Sequence, residues 1–308
     1  MNKRAMQSNL MLLLTALIWG VAFVAQSVGM DYVEPFTFNA SRNFLAALVL
    51  LPVIRLLDRA AVRRGEVNPC PEKVHGGKQL ILGGFLCGLL LTASSGFQQV
   101  GIQYTTVGKA GFVTAIYIII VPLLGIFIGK KVHLNVWVSV ALAAVGLYLL
   151  CMTESLSLGR GDLPVLGCAF CFSLHILVVD TISPHVDGVR MSWLQFLVCG
   201  ILSGILALLF EEPTLSGIIA AWQPILYAGG LSSAVGYTLQ IVAQKNTNPV
   251  IASLLMSLES VFSALAGWVL LHQALSLREL VGCVIMFFAI NMPQMPPRQK
   301  NEVPGKNL

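Results

Sequence analysis

Apolar runs of about 20 residues, cut off by Gly, Pro or charged clusters, recur along nearly the whole chain. A helix rises about 1.5 Å per residue and the hydrocarbon core of a bilayer is about 30 Å thick, so each run is long enough to cross it. Read in this way the chain holds ten spans, at 9–29, 36–54, 79–99, 105–128, 134–151, 162–182, 192–210, 222–242, 247–271 and 276–293. The third has no sharp end, because SSGFQQVGIQYTT is semi-polar, and only QKNTN parts the eighth from the ninth. The pattern predicts an all-α integral membrane protein with ten transmembrane helices. An even number of crossings puts both termini on one side.

Charge fixes which side that is. Of the 19 Lys and Arg, 15 fall in alternate segments that include both termini, the basic loop RLLDRAAVRRGEVNPCPEKVHGGK at 55–78, Lys130, Lys131, Arg190 and Lys245. The opposite loops hold two, Arg160 and Arg278, and Arg42 and Lys109 lie inside spans. Positive residues stay on the cytoplasmic side, so both termini are expected there, in a multi-pass protein of the cytoplasmic membrane. Residues 294–308 lack apolar content and are rich in Pro, which predicts a disordered cytoplasmic tail.

Composition removes several classes of protein. Hydrophobic residues make up 56% of the 308 and charged residues 11%, against roughly 25% charged in soluble domains. No polar stretch is long enough to bury a core of its own. The N-terminus begins like a signal peptide, but its apolar run exceeds the roughly 7–15 residues of a signal core and more spans follow, so it reads as a retained helix. Seven cysteines are an odd number and lie mostly within apolar runs, which gives no disulfide framework. Cys168 and Cys171 form a C-x-x-C without a second ligand pair and read as packing. No cofactor, metal or nucleic-acid partner is expected.

The chain also repeats itself. Residues 105–150 laid beside 247–292 without a gap pair Thr105 with Thr247, Ala110 with Ala252, Tyr117 with Glu259, Leu123 with Leu265 and Gly125 with Gly267. Upstream, Gly96-Phe97 matches Gly236-Tyr237, and Asn39–Arg42 matches Ser192–Gln195. The halves are then 1–151 and 152–293, with five spans each. An odd number of spans starts the second half on the opposite side of the membrane, which makes the repeat inverted. Inverted repeats recur among secondary transporters, with the site near the midplane where the halves meet.

Few polar residues interrupt the spans, and these carry the candidate chemistry. Glu259 lies midway along the 25-residue run Thr247–Leu271. A carboxyl at that depth costs on the order of 2.5–3.5 kcal/mol on insertion scales, so it faces a partner or a water-filled cavity and is a candidate proton carrier or amine ligand. Its packing alternative is a hydrogen bond to a neighbouring polar group such as Gln98. Arg42 stays charged and offers a planar fork of donors suited to a carboxylate or phosphate, to Glu259, or to helix-end carbonyls. His175, near the middle of the sixth span, is a candidate proton relay or a hydrogen-bonded packing group. Among the aromatics, Trp19 and Tyr117 are the leading wall residues, with Phe23, Phe97, Tyr104, Trp193 and Tyr237 behind them. Gly83, Gly84, Gly88, Gly229 and Gly230 are expected to let helices approach closely, and Pro122 to kink the fourth span.

Leu17-Ile18-Trp19-Gly20 with Phe23, Asn39-Ala40-Ser41-Arg42 before an apolar run, and Ala110-Gly111-Phe112 opening a span that carries Pro122 add a further signal. With the duplicated five-span pattern, they make residues 9–293 resemble the drug/metabolite transporter superfamily, EamA type. The resemblance implies ten helices, two homologous halves and export or exchange of a solute across the inner membrane. Amino acids, amphipathic metabolites and drugs are the solute classes it brings. The halves depart from chemical equivalence where Glu259 stands opposite Tyr117.

The reading that joins these features is a secondary transporter of a small organic solute, working by alternating access, with protons as a candidate coupling ion. A non-transporting structural or regulatory membrane protein accounts for the helices but not for a buried acid in a duplicated array. An intramembrane enzyme would need a constellation such as H-E-x-x-H or G-x-S-x-G, and no P-loop suggests ATP-driven transport. The oligomeric state has no signal in the sequence. For the topology, a fluorescent protein fused after Leu308 is expected to fluoresce in cells, and alkaline phosphatase fused there to stay inactive; an active phosphatase would reverse the orientation.

Overall fold

The computed structural model of the chain describes residues 3–63, 77–105, 107–130, 132–151, 159–271 and 276–292. The Pro-rich part of the basic loop and the tail at 294–308 lie outside them. Fourteen α-helices follow one another: α1 (Lys3–Gly29), α2 (Pro35–Arg63), α3 (Gly77–Ile102), α4 (Val107–Ala115), α5 (Tyr117–Phe127), α6 (Leu134–Cys151), α7 (Asp162–Ile182), α8 (Gly188–Phe210), α9 (Leu215–Ala220), α10 (Trp222–Leu226), α11 (Thr238–Gln244), α12 (Pro249–Met256), α13 (Glu259–Leu271) and α14 (Leu277–Asn291). A π-helix, Tyr227–Tyr237, joins α10 to α11.

Among the described residues, eight segments are long and apolar enough to cross a membrane: α1, α3, Gly108–Phe127, α6, α7, α8, Trp222–Gln244 and Pro249–Ala266. Two further long helices accompany them. α2 runs for 29 residues, with Asn39, Arg42 and Asn43 in its first half, and α14 for 15. Polarity is distributed inside out. Phe127 is 86% exposed and Leu208 76%, whereas Arg42, His175, Gln195 and Glu259 are all buried. An outer surface of bare apolar side chains around a polar interior suits lipid as solvent, and the molecule is a multi-pass membrane protein.

Helix starts follow their local chemistry. Asn248 caps α12 ahead of Pro249, and Ser276 with Glu279 forms a capping box on α14. The start of α2 is capped from outside: Glu211, at the end of α8, accepts hydrogen bonds from the Phe36 and Thr37 amides and the Thr37 hydroxyl, all at 2.7 Å. A carboxylate there satisfies free N–H groups and faces the positive end of the helix dipole.

Two interruptions match each other. α4 gives way to α5 at Ile116, and α12 to α13 at Ser257–Leu258. At the first, the Ile116 N–H donates to the Val113 carbonyl; at the second, the Leu258 N–H donates to the Leu255 carbonyl, the same bond 142 residues later. The sequence placed a kink at Pro122, but the interruption lies six residues before it, and α5 runs through the proline. The second interruption has alanine, Ala264, at the corresponding place. Proline is therefore not what these breaks share.

Packing pairs the helices in a regular way. α2 lies along α8, α6 along α14, α3 along both α7 and α8, and α1 along α13 and the π-helix. Small residues permit this closeness. A Cβ on Gly84 would sit 2.5 Å from Leu194 Cδ2, and one on Gly88 2.6 Å from Val198 Cβ. Gly83 meets Ile182 and Gly229 meets α2, as expected of them, whereas Gly230 faces open space. Gly146 and Gly282 face each other across the α6–α14 crossing, where a Cβ on Gly282 would lie 2.7 Å from the Gly146 carbonyl oxygen.

Gly282→Val should therefore force α14 away from α6. We expect a loss on the order of 1–3 kcal/mol, typical of overpacking, seen as a lower midpoint in thermal unfolding of the detergent-solubilised protein. Gly125→Ala, whose new methyl would meet nothing nearer than 3.8 Å, is the control and should leave the midpoint nearly unchanged.

Candidate functional site

Four elements from the first half of the chain and three from the second enclose one cavity. α1 contributes Trp19, Ala22, Phe23 and Gln26; α2 Arg42; α3 Ser94, Ser95 and Gln98; and α4 Thr114. Across from them stand Cys168 and Phe172 of α7, Ser232 and Tyr237 of the π-helix, and Glu259 of α13. Its room is about 30 Å³, enough for about two water molecules. A site for an organic solute holds several hundred Å³, roughly 300–1,000. In this conformation the cavity is too narrow for such a solute.

Glycine sets the position of both charged residues. A Cβ on Gly20 would lie 2.6 Å from the Glu259 carbonyl oxygen, so the start of α13 rests against α1 at the residue after Trp19. A Cβ on Gly229 would lie 2.7 Å from the Arg42 carbonyl oxygen, so the π-helix rests against α2. The backbone beneath each charge is thus held by a neighbour with no side chain.

Glu259 is the first residue of α13 and Tyr117 the first of α5. The Tyr117 hydroxyl donates to Glu259 Oε1 at 3.2 Å. Both sit at a helix interruption, where free backbone groups and a change of direction turn a side chain into the bundle. Arg42, 3% exposed, donates from Nη1 to Gln26 Oε1 at 3.3 Å, and its Nε has no partner among the described residues. The Phe38 ring lies 5.9 Å from the guanidinium carbon. No ion pair joins Arg42 to Glu259 among the described residues. The one fixed positive charge on the cavity wall is therefore matched to a neutral amide.

The aromatic wall is organised around Phe172. Its ring lies 5.6 Å from Trp19, 5.4 Å from Tyr117 and 6.2 Å from Tyr237, edge-on in each case. The π-helix is tied to α1 by three bonds: Trp19 Nε1 donates to the Ser232 carbonyl at 3.2 Å, the Thr15 hydroxyl to the Gly236 carbonyl at 3.1 Å, and the Tyr227 hydroxyl to the Ile18 carbonyl at 3.0 Å. π-helical turns accumulate at functional sites in proteins. This one presents Ser232 and Tyr237 to the cavity.

The structure brings Glu259, Arg42, Trp19 and Gln98 to the cavity, with Tyr117 bonded to Glu259 from behind the wall. Gln98 donates to Thr114 at 3.3 Å instead of pairing with Glu259. His175 is elsewhere: fully buried, it bonds Gln195 at 3.0 Å and stacks on Phe172 with rings 8° from parallel. Phe23 and Tyr237 line the cavity, while Phe97 and Tyr104 are exposed and Trp193 lies off the wall. Lys109 pairs with Asp162 and Lys130 with Asp180, away from the cavity. Sequence reasoning missed Phe172, Gln26 and the serines. Cys168, Phe172 and His175 share one face of a helix by their spacing, and that spacing is the signal by which Phe172 was open to discovery.

With that geometry in view, the chain can be compared with known proteins. The EamA-like transporter family matches residues 6–152 and 159–292. A protein of Archaeoglobus fulgidus named as an uncharacterized transporter is 28% identical over 288 residues, 93% of this chain and 85% of that protein. The Bacillus subtilis uncharacterized transporter YoaV is 21% identical over 90% of this chain and 92% of its own. A chloroplastic WAT1-related protein of Arabidopsis thaliana is 23% identical over 90% of this chain and 67% of its own. A solved crystal structure with 17% identity superimposes with a TM-score of 0.73, covering 93% of this chain and 96% of that one, which shows a shared fold.

Gly20→Ala should disturb the site without touching its chemistry, because a methyl there meets backbone and not a flexible side-chain end. We expect a destabilisation of about 1–3 kcal/mol in thermal unfolding and a shift in tryptophan emission from Trp19, its chain neighbour. Tyr117→Phe should cost about 1 kcal/mol, the usual net worth of one hydrogen bond. An unchanged melting midpoint in both variants would contradict the contacts described.

Proposed function

Because the chain belongs to the EamA-like transporter family, we propose that it is a secondary transporter that moves a small organic solute by exposing this cavity alternately to the two sides. The observation that carries the reading is that one cavity, narrow in this conformation, is lined by a buried guanidinium and a buried carboxyl. Charges are costly inside a bilayer and are kept where a substrate or ion path uses them. A space of about two waters admits an organic molecule only after the helices around it move.

The mechanism we propose is rocking of two inverted halves, 1–151 and 152–293, in a ten-helix array. Support comes from the two stretches that match the family and from the pairing of helix interruptions 142 residues apart. Packing supports it too: helices at corresponding places in the two halves lie against each other, as α2 does on α8 and α6 on α14. Residues at corresponding positions that touch, as Tyr117 and Glu259 do, straddle the axis relating two such halves. In this reading the aromatics wall the solute, Arg42 and Glu259 bind its polar parts, and Glu259 carries a proton in the cycle. His175 has a packing role beside Phe172. The protein belongs in the cytoplasmic membrane with both termini inside.

Solute flux into proteoliposomes tests this. A panel of labelled amino acids, organic cations, organic acids and sugar phosphates is offered with and without a pH gradient. Wild type should move at least one class, and Ala22→Phe, which fills the cavity from α1, should lower that flux at least about tenfold while remaining monodisperse. Glu259→Gln should lose the response to the gradient. Absence of any flux from folded wild type, or full flux through Ala22→Phe, would overturn the proposal.

A further inference from the structure

The charges on the cavity wall do not balance by contact, and that imbalance identifies a ligand. Arg42 keeps its proton at any physiological pH. Its Nη1 meets a neutral amide and its Nε meets nothing among the described residues, although the side chain is almost wholly buried. A buried guanidinium in that condition lacks the anion that would repay its lost hydration. Glu259 does not supply it: its hydrogen bond is from the Tyr117 phenol, and among the described residues no ion pair reaches Arg42.

We propose that the cavity binds a monocarboxylate on Arg42 together with one proton on Glu259. The inference rests on reading this cavity as the solute site. With Glu259 ionised the wall carries one positive and one negative charge, and an incoming carboxylate leaves a net charge of minus one. A proton taken from the aqueous side onto Glu259 restores neutrality. An anion and a proton that neutralise one another's cost strengthen each other's binding, by reciprocal linkage. An organic cation meets the opposite situation, because Arg42 cannot withdraw its charge. A dianionic phosphate leaves an excess negative charge even after Glu259 is protonated.

Among the described residues, the surroundings of Glu259 add no competing charge. Tyr117 of α5 bonds it, Cys168 of α7 and Tyr237 of the π-helix line the same cavity, and α6, which carries Cys151, packs on α13; thiols and phenols are ordinarily neutral near pH 7. α1 and α3 present aromatic, amide and hydroxyl groups to the cavity. Lys109 of α4 is engaged with Asp162. The titration that sets the sign of any pH effect is therefore that of Glu259, with Arg42 as the fixed charge. Phe23, Phe172 and Trp19 supply an apolar wall for the rest of the solute.

A zwitterion is the competing ligand, since it needs Glu259 ionised, and the sign of the pH dependence separates the two. Calorimetric titration of the solubilised full-length chain would use four probes with one phenyl ring: hydrocinnamate, phenylalanine, phenethylamine and phenyl phosphate. Hydrocinnamate is expected to bind more tightly at pH 6 than at pH 8, approaching about tenfold per pH unit where one proton is linked. Glu259→Gln should bind it about equally at both pH values, close to the wild-type affinity at pH 6. Arg42→Met should lose at least about tenfold at both, and Arg42→Lys, which keeps the charge, should recover part of the loss. Tighter binding of phenylalanine or phenethylamine as pH rises would overturn the assignment, as would hydrocinnamate binding indifferent to pH in wild type. Linked hydrocinnamate binding without any flux would leave the assignment standing and remove the transport reading. Flux confined to amines or zwitterions would do the reverse.

Discussion

A guanidinium that cannot shed its proton is enclosed in a molecule whose outer surface is hydrocarbon, and the architecture depends on keeping those two facts apart. Arg42 sits in the first half of α2, a helix that carries Asn39 and Asn43 on neighbouring turns and whose free N-terminal amides are taken by Glu211 from α8. That polar stretch is tolerable only when other helices cover it. α8, α3 and the π-helix do so; a Cβ on Gly229 of the π-helix would lie 2.7 Å from the Arg42 carbonyl oxygen, and one on Gly200 of α8 3.0 Å from the Phe44 ring. Burial of one charge thus goes with close approach of the π-helix and α8 to α2.

The cavity inherits its shape from helices that stop short. Breaks at Ile116 and at Ser257–Leu258 turn Tyr117 and Glu259 toward each other, and the wider winding of Tyr227–Tyr237 lets Trp19 reach a backbone carbonyl at Ser232. Regular helices would direct these groups along their own ladders. Irregular backbone inside a membrane is tolerated where it is buried in protein or lines a cavity, and both conditions are met here. Mechanical freedom and chemical function therefore occupy the same residues.

How much of this was legible in the sequence follows from the kind of signal each residue leaves. Glu259 and Arg42 stand out because a charge in an apolar run has few explanations, and both line the cavity. Trp19 was legible through the motif Leu17-Ile18-Trp19-Gly20, and the structure adds that Gly20 is the point where α1 meets α13. Tyr117 emerged from the repeat and bonds the residue with which it was aligned. His175, though equally polar, faces Gln195 and the far side of Phe172, since a polar residue in a span marks an interior without saying which part of it. Phe172 shares a helix face with Cys168 and His175 by spacing, but composition does not separate aromatic packing from aromatic lining. The helix interruptions left no Gly or Pro at Ile116 or Leu258, and the π-helix read only as a stretch rich in small residues. Tertiary packing, not local propensity, decides such winding.

The contact between Tyr117 and Glu259 also says something about ancestry. If the two halves descend from one gene whose product paired with an inverted copy of itself, this position once faced its own duplicate. Two carboxyls in that place would have had to share a single proton between them, as closely placed acids do. Only after fusion gave each copy its own codon was one side free to become an acid while the other remained a hydrogen-bond donor. The asymmetry at this pair is then something a symmetric homodimer is unable to encode, and it dates the difference between the two halves to a time after the duplication.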